Sequence, residues 1–321
     1  MRDYLKHPVG SKEFVLAVER CMQSSDDGSP RCGVEAKPAQ NGERSRLIGC
    51  SQPMVELREQ IENAARCSST VLITGETGTG KQLVAESVHQ QSVRRSRPLV
   101  SINCAVIPDS LLESELFGFE KGAFTGAHER REGKLRQAHG GTILLDEIGD
   151  MSLSAQAKLL GFLEDRRVCC LGGSSAVLTD VRVVAATNQD LEEAVLRQAF
   201  RRDLFYRLNV VRIRIPPLRE RREDLPLLID HLLQEFSKKF GRTVRAFGSD
   251  STDLVMRHDW PGNVRELRNL IEAVFVNRPP AVVTAADLPR HVLNSFERRD
   301  SAGRGDRTRC ADQGPGGDEL E

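Results

Sequence analysis

The sequence predicts an α/β fold in which a parallel sheet is flanked by helices and followed by a small helical subdomain. From Leu47 to about Arg290, apolar runs of strand length alternate with helical patterns, which is typical of a parallel sheet covered by helices. After Pro216 and Pro217 the strand-like runs stop and three helical patterns follow, so we expect only helices there. The strand-like runs are STVLITG, PLVSINC, GTILLDE, VRVVAATN and VVRIRIP.

The composition is that of a globular chain and disfavours several classes of protein. The 321 residues include 46 Lys plus Arg and 46 Asp plus Glu, so charge gives no support for a strongly basic nucleic-acid-binding protein. No apolar run approaches the roughly 18 residues of a membrane helix, and the N-terminus lacks the apolar core of a signal peptide. The 8 cysteines include no CxxC pair. We therefore expect reduced thiols in a cytoplasmic protein without a membrane segment.

Changes in composition divide the chain into segments. Residues 11–22 have the apolar spacing of a short amphipathic helix, and residues 23–46 are polar and rich in Gly, Pro and Ser, as in a flexible linker. We expect an α/β subdomain over 47–216 and a helical subdomain over 217–290. The tail, 291–321, ends in a stretch with few apolar residues and is predicted to be disordered.

A glycine-rich loop, GETGTGK, follows the first strand-like run and opens a helical pattern. This is the context of a phosphate-binding loop, in which backbone N–H groups surround phosphates and the helix N-terminus adds positive partial charge. Lys81 would reach the β and γ phosphates of ATP. Gln82 stands where Ser or Thr ordinarily ligates Mg²⁺, so the metal would depend more on water and on a second motif. The predicted nucleotide-binding residues of this loop are Gly75, Glu76, Thr77, Gly78, Thr79, Gly80, Lys81 and Gln82.

The second motif, GGTILLDEIGD, ends an apolar strand in Asp146 and Glu147. Carboxylates at the carboxyl end of such a strand lie where ligands bind in parallel-sheet folds. Asp146 would hold Mg²⁺, directly or through water. Glu147 would polarise the attacking water, because phosphoryl transfer depends mainly on positioning and charge neutralisation.

Three polar residues further along the chain are each open to two interpretations. Asn188 ends the VRVVAATN strand, where it would either sense the γ-phosphate or only cap the strand. Arg201 and Arg207 would either stabilise transition-state charge from a neighbouring subunit or belong to a solvated basic face. On the residues alone, the solvated face is the simpler interpretation of the two arginines.

Together these motifs resemble the sigma-54-dependent transcriptional activators, or bacterial enhancer-binding proteins of the NtrC type, which are AAA+ ATPases. The resemblance covers about Leu47 to Pro289, and the GAFTGA hexapeptide within it is close to unique to this family. It implies an AAA+ sheet with a helical lid, ATP and Mg²⁺ as cofactors, hydrolysis of ATP to ADP and phosphate, and a homo-oligomeric ring, expected to be a hexamer. The matching stretches are LIGCSQPM, GETGTGKQ, NCAVIPDSLLESELFGFEKGAFTGA, GGTILLDEIGDM, VRVVAATN, FRRDLFYRLNVVRIRIPPLRERREDLPLL and WPGNVRELRN.

The resemblance also implies roles in ATP hydrolysis. The loop from Gly75 to Gln82 would be Walker A, whose last position is usually Glu in this family. Asp146 and Glu147 would be Walker B, and Asn103 would be the switch asparagine that pairs with the Walker B glutamate.

Further positions match other functional residues of the family. Asn188 lies at the first sensor position and Arg265, in the lid, at the second. Arg201 and Arg207 match the two Arg-finger positions, which reverses the interpretation from the residues alone. The residues that match the adenine-side contacts are Ile48 and Gly49.

The GAFTGA loop is implied to project toward the pore of the ring and to contact sigma-54. Gly122 and Gly126 allow backbone conformations closed to other residues, and Phe124 is an apolar side chain that a partner would cover. Nucleotide state at the Walker B pair would bias the loop through Asn103. The predicted sigma-54 contacts are Gly122, Ala123, Phe124, Thr125, Gly126 and Ala127.

The two ends differ from the usual architecture of the family. Residues 1–22 resemble the last strand and helix of a receiver domain, with His7 where that family has Lys, so we expect a remnant without the phosphoacceptor Asp. No pattern after Pro289 predicts the C-terminal helix-turn-helix. We therefore do not expect specific DNA binding by this chain.

The function expected from these motifs is the ATP-driven remodelling of sigma-54 RNA polymerase at a closed promoter complex. The alternative is a truncated, non-catalytic regulator that binds sigma-54 or joins rings of full-length activators. Another P-loop enzyme, such as a small-molecule kinase or a helicase, is disfavoured because GAFTGA has no role there.

Overall fold

The computed structural model describes residues 47–123, 128–242, 244, 246–277 and 281–289, without the side chain of Ser110. The predicted receiver remnant, linker and tail lie outside these residues. The described α-helices are α1 Gln52–Arg66, α2 Lys81–Gln90, α3 Asp109–Phe117, α4 Lys134–Gln137, α5 Leu153–Asp165, α6 Leu191–Leu196, α7 Arg202–Leu208, α8 Leu225–Phe240, α9 Ser249–Arg257 and α10 Asn263–Val276. The described strands are β1 Val71–Thr74, β2 Leu99–Asn103, β3 Gly118–Phe119, β4 Arg131–Glu132, β5 Thr142–Asp146, β6 Arg167–Cys169, β7 Ala176–Leu178, β8 Arg182–Thr187, β9 Val211–Arg214, β10 Ala246–Phe247 and β11 Val282–Val283.

A five-stranded parallel sheet forms the α/β part, in the order β2–β5–β8–β1–β9. Each strand lies within one of the five apolar runs, so the predicted fold class is confirmed. Parallel neighbours require a long crossover, and the intervening helices supply it. The central strand β8 is buried along its whole length, as expected for a parallel strand covered on both faces.

Side chains of the sheet alternate between two apolar cores, because successive residues of a strand point to opposite faces. Leu72 and Ile143 belong to one core, which includes residues of α3 and α5. Ile73 and Leu144 belong to the other, which includes residues of α1 and α2. The sheet is therefore covered by helices on both sides.

The segment after Pro217 forms a separate core around Trp260, Phe236 and Phe275, all fully buried. The rings of Phe236, on α8, and Phe275, on α10, lie 5.9 Å apart between centroids. The expectation of helices alone is wrong here, because β10 and β11 form a short parallel pair. Two-residue strands are too short to show the alternation that predicts a strand in a sequence.

Two antiparallel hairpins extend from the α/β part: β3 pairs with β4, and β6 pairs with β7. The β3 strand is joined to the loop between β6 and β7, since Leu171 N donates to Gly118 O at 2.9 Å and Glu120 N donates to Leu171 O at 3.0 Å. Gly118 has a φ of 78°, and a Cβ there would lie 2.5 Å from Arg131 O. Only glycine fits this position.

The segment before α1 is anchored to the start of the lid by Asp224, whose side chain is fully buried. Its carboxylate accepts hydrogen bonds from Cys50 N at 2.6 Å, Ser51 N at 2.9 Å and Ser51 Oγ at 2.6 Å. A buried carboxylate is stable only when hydrogen bonds replace its water. This contact therefore fixes residues 48–51 against the junction between the two subdomains.

None of the described helices is long and apolar enough to span a membrane.

Replacement of Asp224 by Ala is expected to destabilise the protein by about 2–4 kcal/mol, because three donors lose a charged, buried acceptor. The free energy of unfolding in urea would measure this. Glu193→Ala is the control, since its pair with Arg197 is 61–63% exposed and is worth at most about 0.5 kcal/mol. Equal stabilities of the two variants would contradict the anchoring role.

Candidate functional site

The glycine-rich loop connects β1 to α2 at the carboxyl edge of the sheet. Gly78 and Gly80 have φ values of 80° and 103°, conformations that favour glycine and that wrap the backbone around the loop. Gly75 N donates to Thr187 O at 3.2 Å, which ties the start of the loop to the neighbouring strand β8. Helix α2 begins at Lys81, so the free N–H groups of its first turn lie directly after the loop.

Lys81 is the central cation of the site and is only 7% exposed. Its Nζ donates to Gly75 O at 3.1 Å and lies 3.2 Å from Glu147 Oε1. Thr79 is buried and donates its hydroxyl to Glu76 O at 2.8 Å. The ammonium is therefore held between the loop backbone and the carboxylate that follows β5.

Gln82, at the position that departs from the usual Ser or Thr, donates through Nε2 to Glu86 Oε1 at 3.0 Å. This bond lies on the exposed side of α2, one turn along the helix.

Asp146 and Glu147 end β5 in two different environments. Burial, reinforced by the charge of Glu147, raises the pKa of Asp146, while Lys81 and Arg265 oppose the rise. Glu147 has a φ of 52° and a ψ of 52°, a left-handed conformation that costs a non-glycine residue about 1 kcal/mol. Such strain at a carboxylate beside a phosphate-binding loop is typical of a functional position.

Asn103 ends β2 beside Asp146, its register partner in the sheet. Its Nδ2 donates to Asp146 Oδ2 at 3.2 Å, and its Oδ1 accepts from Ala105 N at 3.0 Å. The implied pairing of Asn103 with Glu147 is not the arrangement in this structure, where Glu147 contacts Lys81 and Asn188 instead. Adjacent parallel strands place the asparagine next to the first carboxylate of the motif rather than the second.

Asn188 follows β8, which lies between β5 and β1 in the sheet. Its backbone N donates to Glu147 Oε2 at 3.0 Å, and its Nδ2 donates to Thr77 Oγ1 at 2.9 Å. Asn188 therefore links the acidic motif to the glycine-rich loop. A residue that only capped the strand would not contact both.

Cys104 lies directly beyond Asn103, and burial, with a smaller contribution from Asp146, raises the pKa of its thiol to about 12. The thiol stays protonated and adds no charge to the acidic edge.

Arg201 and Arg207 are not brought to this edge by contacts within the described part of the chain. Arg201 forms a two-pronged ion pair with Asp203, at 2.6 Å and 3.1 Å, on an exposed surface. Arg207 Nη2 donates to Leu163 O at 3.2 Å. Their guanidinium groups face other parts of the subunit than the glycine-rich loop.

Arg265 lines a cleft of about 350 Å³ between the loop and the lid helix α10, together with Thr77 and Asn269. Ile48 packs against the lid core, and Gly49 O accepts a hydrogen bond from Arg58 Nη2. The predicted adenine-side residues thus lie at the junction of α1 and the lid.

A polar network that was not predicted from the sequence joins the glycine-rich loop to the lid. The carboxylate of Glu76 accepts from Arg219 Nη1 at 2.9 Å and Nη2 at 2.6 Å, and from Asn263 Nδ2 at 3.1 Å. The hydrogen bonds with Arg219 are the main reason that the pKa of Glu76 is lowered. Arg219 lies in the charged run LRERRED, which by itself resembles a solvated surface, and Asn263 lies two residues before Arg265.

The GAFTGA sequence lies along the chain between β3 and β4, and its first two residues, Gly122 and Ala123, are described. Gly122 has a φ of 85°, and Ala123 N donates to Glu120 O at 3.1 Å. The remaining predicted contact residues, Phe124 to Ala127, lie outside the described residues. The hairpin begins directly at the C-terminal end of α3.

Comparison with known proteins identifies the family. The model of the sigma-54 interaction domain matches residues 47–214, and the model of an AAA+ ATPase lid domain matches residues 219–304. The chain is 45% identical over 287 residues to the transcriptional regulatory protein ZraR of Salmonella typhimurium, which covers 89% of this chain and 64% of that protein. It is 48% identical over 269 residues to the DNA-binding transcriptional regulator NtrC of Azospirillum brasilense, covering 84% and 55%.

A solved structure agrees with these relatives. NtrX of Brucella abortus, crystallised in complex with ATP, has a TM-score of 0.73 and 34% identity, over 91% of this chain and 63% of that one. The chain thus spans less than two thirds of the length of these relatives. From the match to the sigma-54 interaction domain, this chain belongs to the sigma-54-dependent transcriptional activators of the NtrC type.

Proposed function

We propose that this chain binds ATP at the glycine-rich loop, hydrolyses it, and uses the hydrolysis to remodel sigma-54 RNA polymerase at a promoter in the cytoplasm. The observation that carries the proposal is the position of Lys81, whose ammonium contacts both Gly75 O and the Glu147 carboxylate. A cation at that point, beside a loop of free N–H groups, suits a polyphosphate.

The acidic edge fits a divalent cation. Asp146 and Glu147 are adjacent carboxylates at the end of β5, and burial, reinforced by the charge of Glu147, raises the pKa of Asp146. Asp146 would hold Mg²⁺, which would supply positive charge against the phosphates. Gln82 would not bind the metal while its side-chain amide donates to Glu86.

Lys81 and Glu147 exchange partners in this mechanism. Lys81 leaves Glu147 for a phosphate oxygen when nucleotide binds, because a phosphate offers the ammonium a stronger charge-assisted partner. Glu147 is then free to accept a hydrogen bond from the attacking water, while Asn188 N keeps one of its oxygens in place. Asn188 Nδ2 holds Thr77 and so fixes the loop relative to this carboxylate.

Arg201 and Arg207 act on the nucleotide of a neighbouring subunit. Within the described residues neither contacts the glycine-rich loop of its own subunit, which supports this assignment. Arg201 lies on the surface, where it would exchange its partner Asp203 for a neighbour's phosphate. Activity therefore requires a homo-oligomeric ring, which we expect to be a hexamer.

Asn103 couples the nucleotide site to the hairpin that carries the GAFTGA sequence. Its side-chain amide donates to Asp146 and accepts from Ala105 N. The chain then continues into α3, which ends where the β3–β4 hairpin begins. A change in charge at the acidic edge thus acts on the strand end that leads to the hairpin. The GAFTGA sequence between β3 and β4, with Phe124 and Thr125, contacts sigma-54.

Lys81→Ala is expected to lower ATP turnover by at least about 10²-fold, because the phosphates lose a preorganised positive charge. Phosphate release per subunit would measure this, with nucleotide binding followed separately. Lys158→Ala is the matched control, since that lysine, on α5, pairs with Glu113 on α3, and its loss is expected to leave turnover unchanged. Turnover of Lys81→Ala equal to that of the wild type would contradict the site.

Two inactive variants are expected to restore activity when mixed. Glu147→Gln loses the water-activating carboxylate of its own site, and Arg201→Ala loses the finger it supplies, worth about 10³-fold in related systems. In a mixed ring, an Arg201→Ala subunit receives an intact finger from a Glu147→Gln neighbour.

Turnover of the mixture above that of either variant alone, together with wild-type turnover that falls on dilution, is the expected result. Wild-type turnover per subunit that is flat across a wide dilution series would rule out fingers supplied by a neighbour.

Thr125→Ala is expected to retain the ATPase rate and to lose sigma-54 binding and promoter opening. The reason is that Thr125 belongs to the GAFTGA sequence and to none of the motifs proposed to bind or hydrolyse ATP. Co-sedimentation with sigma-54 and open-complex formation would be measured beside phosphate release. Normal promoter opening by this variant would contradict the assignment of the loop.

A further inference from the structure

We propose that Glu76, Arg219 and Asn263 form a clasp that ties the phosphate-binding loop to the helical lid, so that a nucleotide that reshapes the loop also moves the lid. The inference rests on the proposed nucleotide binding and adds a role that the phosphate contacts do not require. In it, Glu76 is a positioning residue that acts through the lid.

The side chain of Glu76 is directed to the lid junction. Both of its oxygens accept hydrogen bonds from Arg219, at 2.6 Å and 2.9 Å, and Oε2 also accepts from Asn263 Nδ2 at 3.1 Å. A carboxylate in a phosphate-binding loop repels phosphate unless a cation neutralises it, and Arg219 supplies that cation. The charge of Glu76 is therefore neutralised only while Arg219 stays in place at the lid junction.

Asn263 is the buried centre of the clasp, with no solvent exposure. Its Nδ2 also donates to Thr77 O at 3.1 Å, and its Oδ1 accepts from Leu218 N at 2.7 Å. The residue has a φ of 52°, a conformation that Asn tolerates better than most side chains. It begins α10, so its three partners connect the loop, the segment between the subdomains and the lid helix.

The backbones also meet directly. Val264 N donates to Gly78 O at 3.1 Å, and a Cβ on Gly78 would lie 2.2 Å from Gly262 O. Three consecutive residues of the loop, Glu76 to Gly78, are thus bonded to the start of α10. With no space between them, a shift of the loop has to be followed by the lid or has to break these bonds.

Trp260 gives a readout of this coupling that does not depend on hydrolysis. It is the only tryptophan in the 321 residues, it is fully buried in the lid core, and it precedes Asn263 by three positions. Its fluorescence would be followed during titration of the full chain with ADP and with a slowly hydrolysed ATP analogue. The wild type is expected to show a saturable change in emission.

Three variants distinguish loss of the clasp from a general loss of stability. Arg219→Ala is expected to weaken nucleotide affinity about threefold to fivefold, as for a half-exposed ion pair, and to reduce the Trp260 change at saturation. Arg219→Lys, which keeps the charge, is expected to restore most of the nucleotide affinity and most of the change in Trp260 emission. Asn263→Asp is isosteric but sets a second carboxylate against Glu76, and we expect at least about a tenfold loss of affinity.

Arg268→Ala is the matched control, because it removes a similar two-pronged pair with Glu235 within the lid, away from the loop. It is expected to match the wild type in affinity and emission. Arg219 is 41% exposed, so its variants fold even if Asn263→Asp does not.

The clasp is overturned if Arg219→Ala keeps full affinity and a full Trp260 change, as Arg268→Ala does. It is also overturned if the wild type binds nucleotide without any change in Trp260. A wild type that binds no nucleotide would overturn the proposed function as well, whereas normal binding and turnover with unaltered variants would overturn the clasp alone.

Discussion

The order of the strands is the constraint on which the site depends. Because β5, β8 and β1 are consecutive neighbours in a parallel sheet, their carboxyl ends bring Glu147, Asn188 and the glycine-rich loop side by side. The ion pair of Lys81 with Glu147 and the bond from Asn188 to Thr77 both follow from this order. A parallel sheet with another strand order would separate the same residues, however well each motif was preserved.

Local chemistry made much of this site predictable from the sequence. The strand, glycine-rich loop and helix around Lys81 are contiguous in the chain, and so is the apolar strand that ends in Asp146, so their spacing alone indicates their arrangement. All five sheet strands were predicted because each is an apolar run bounded by polar residues. The short pairs β3–β4, β6–β7 and β10–β11 were not predicted, since two or three residues show no period.

Contacts between distant segments were the part that the sequence could not provide. Arg219 is 143 residues from Glu76 along the chain, and Asn263 is 187 residues from Glu76. No local sequence pattern relates residues so far apart. The charged run around Arg219 has the composition of a solvated surface, yet Asp224, close beside it, is fully buried. Asn103 shows a different limit: its position was predicted, but the side chain that it contacts depends on the register of β2 with β5.

The glycines at the base of the β3–β4 hairpin have a mechanical consequence. A Cβ on Gly133 would lie 2.4 Å from both Gly118 N and Leu116 O, so the residue after β4 touches the backbone where β3 leaves α3. Leu171 is bonded to both Gly118 and Glu120, which adds the neighbouring hairpin as a brace. A joint packed this tightly leaves the base of the hairpin little room to bend relative to the end of α3.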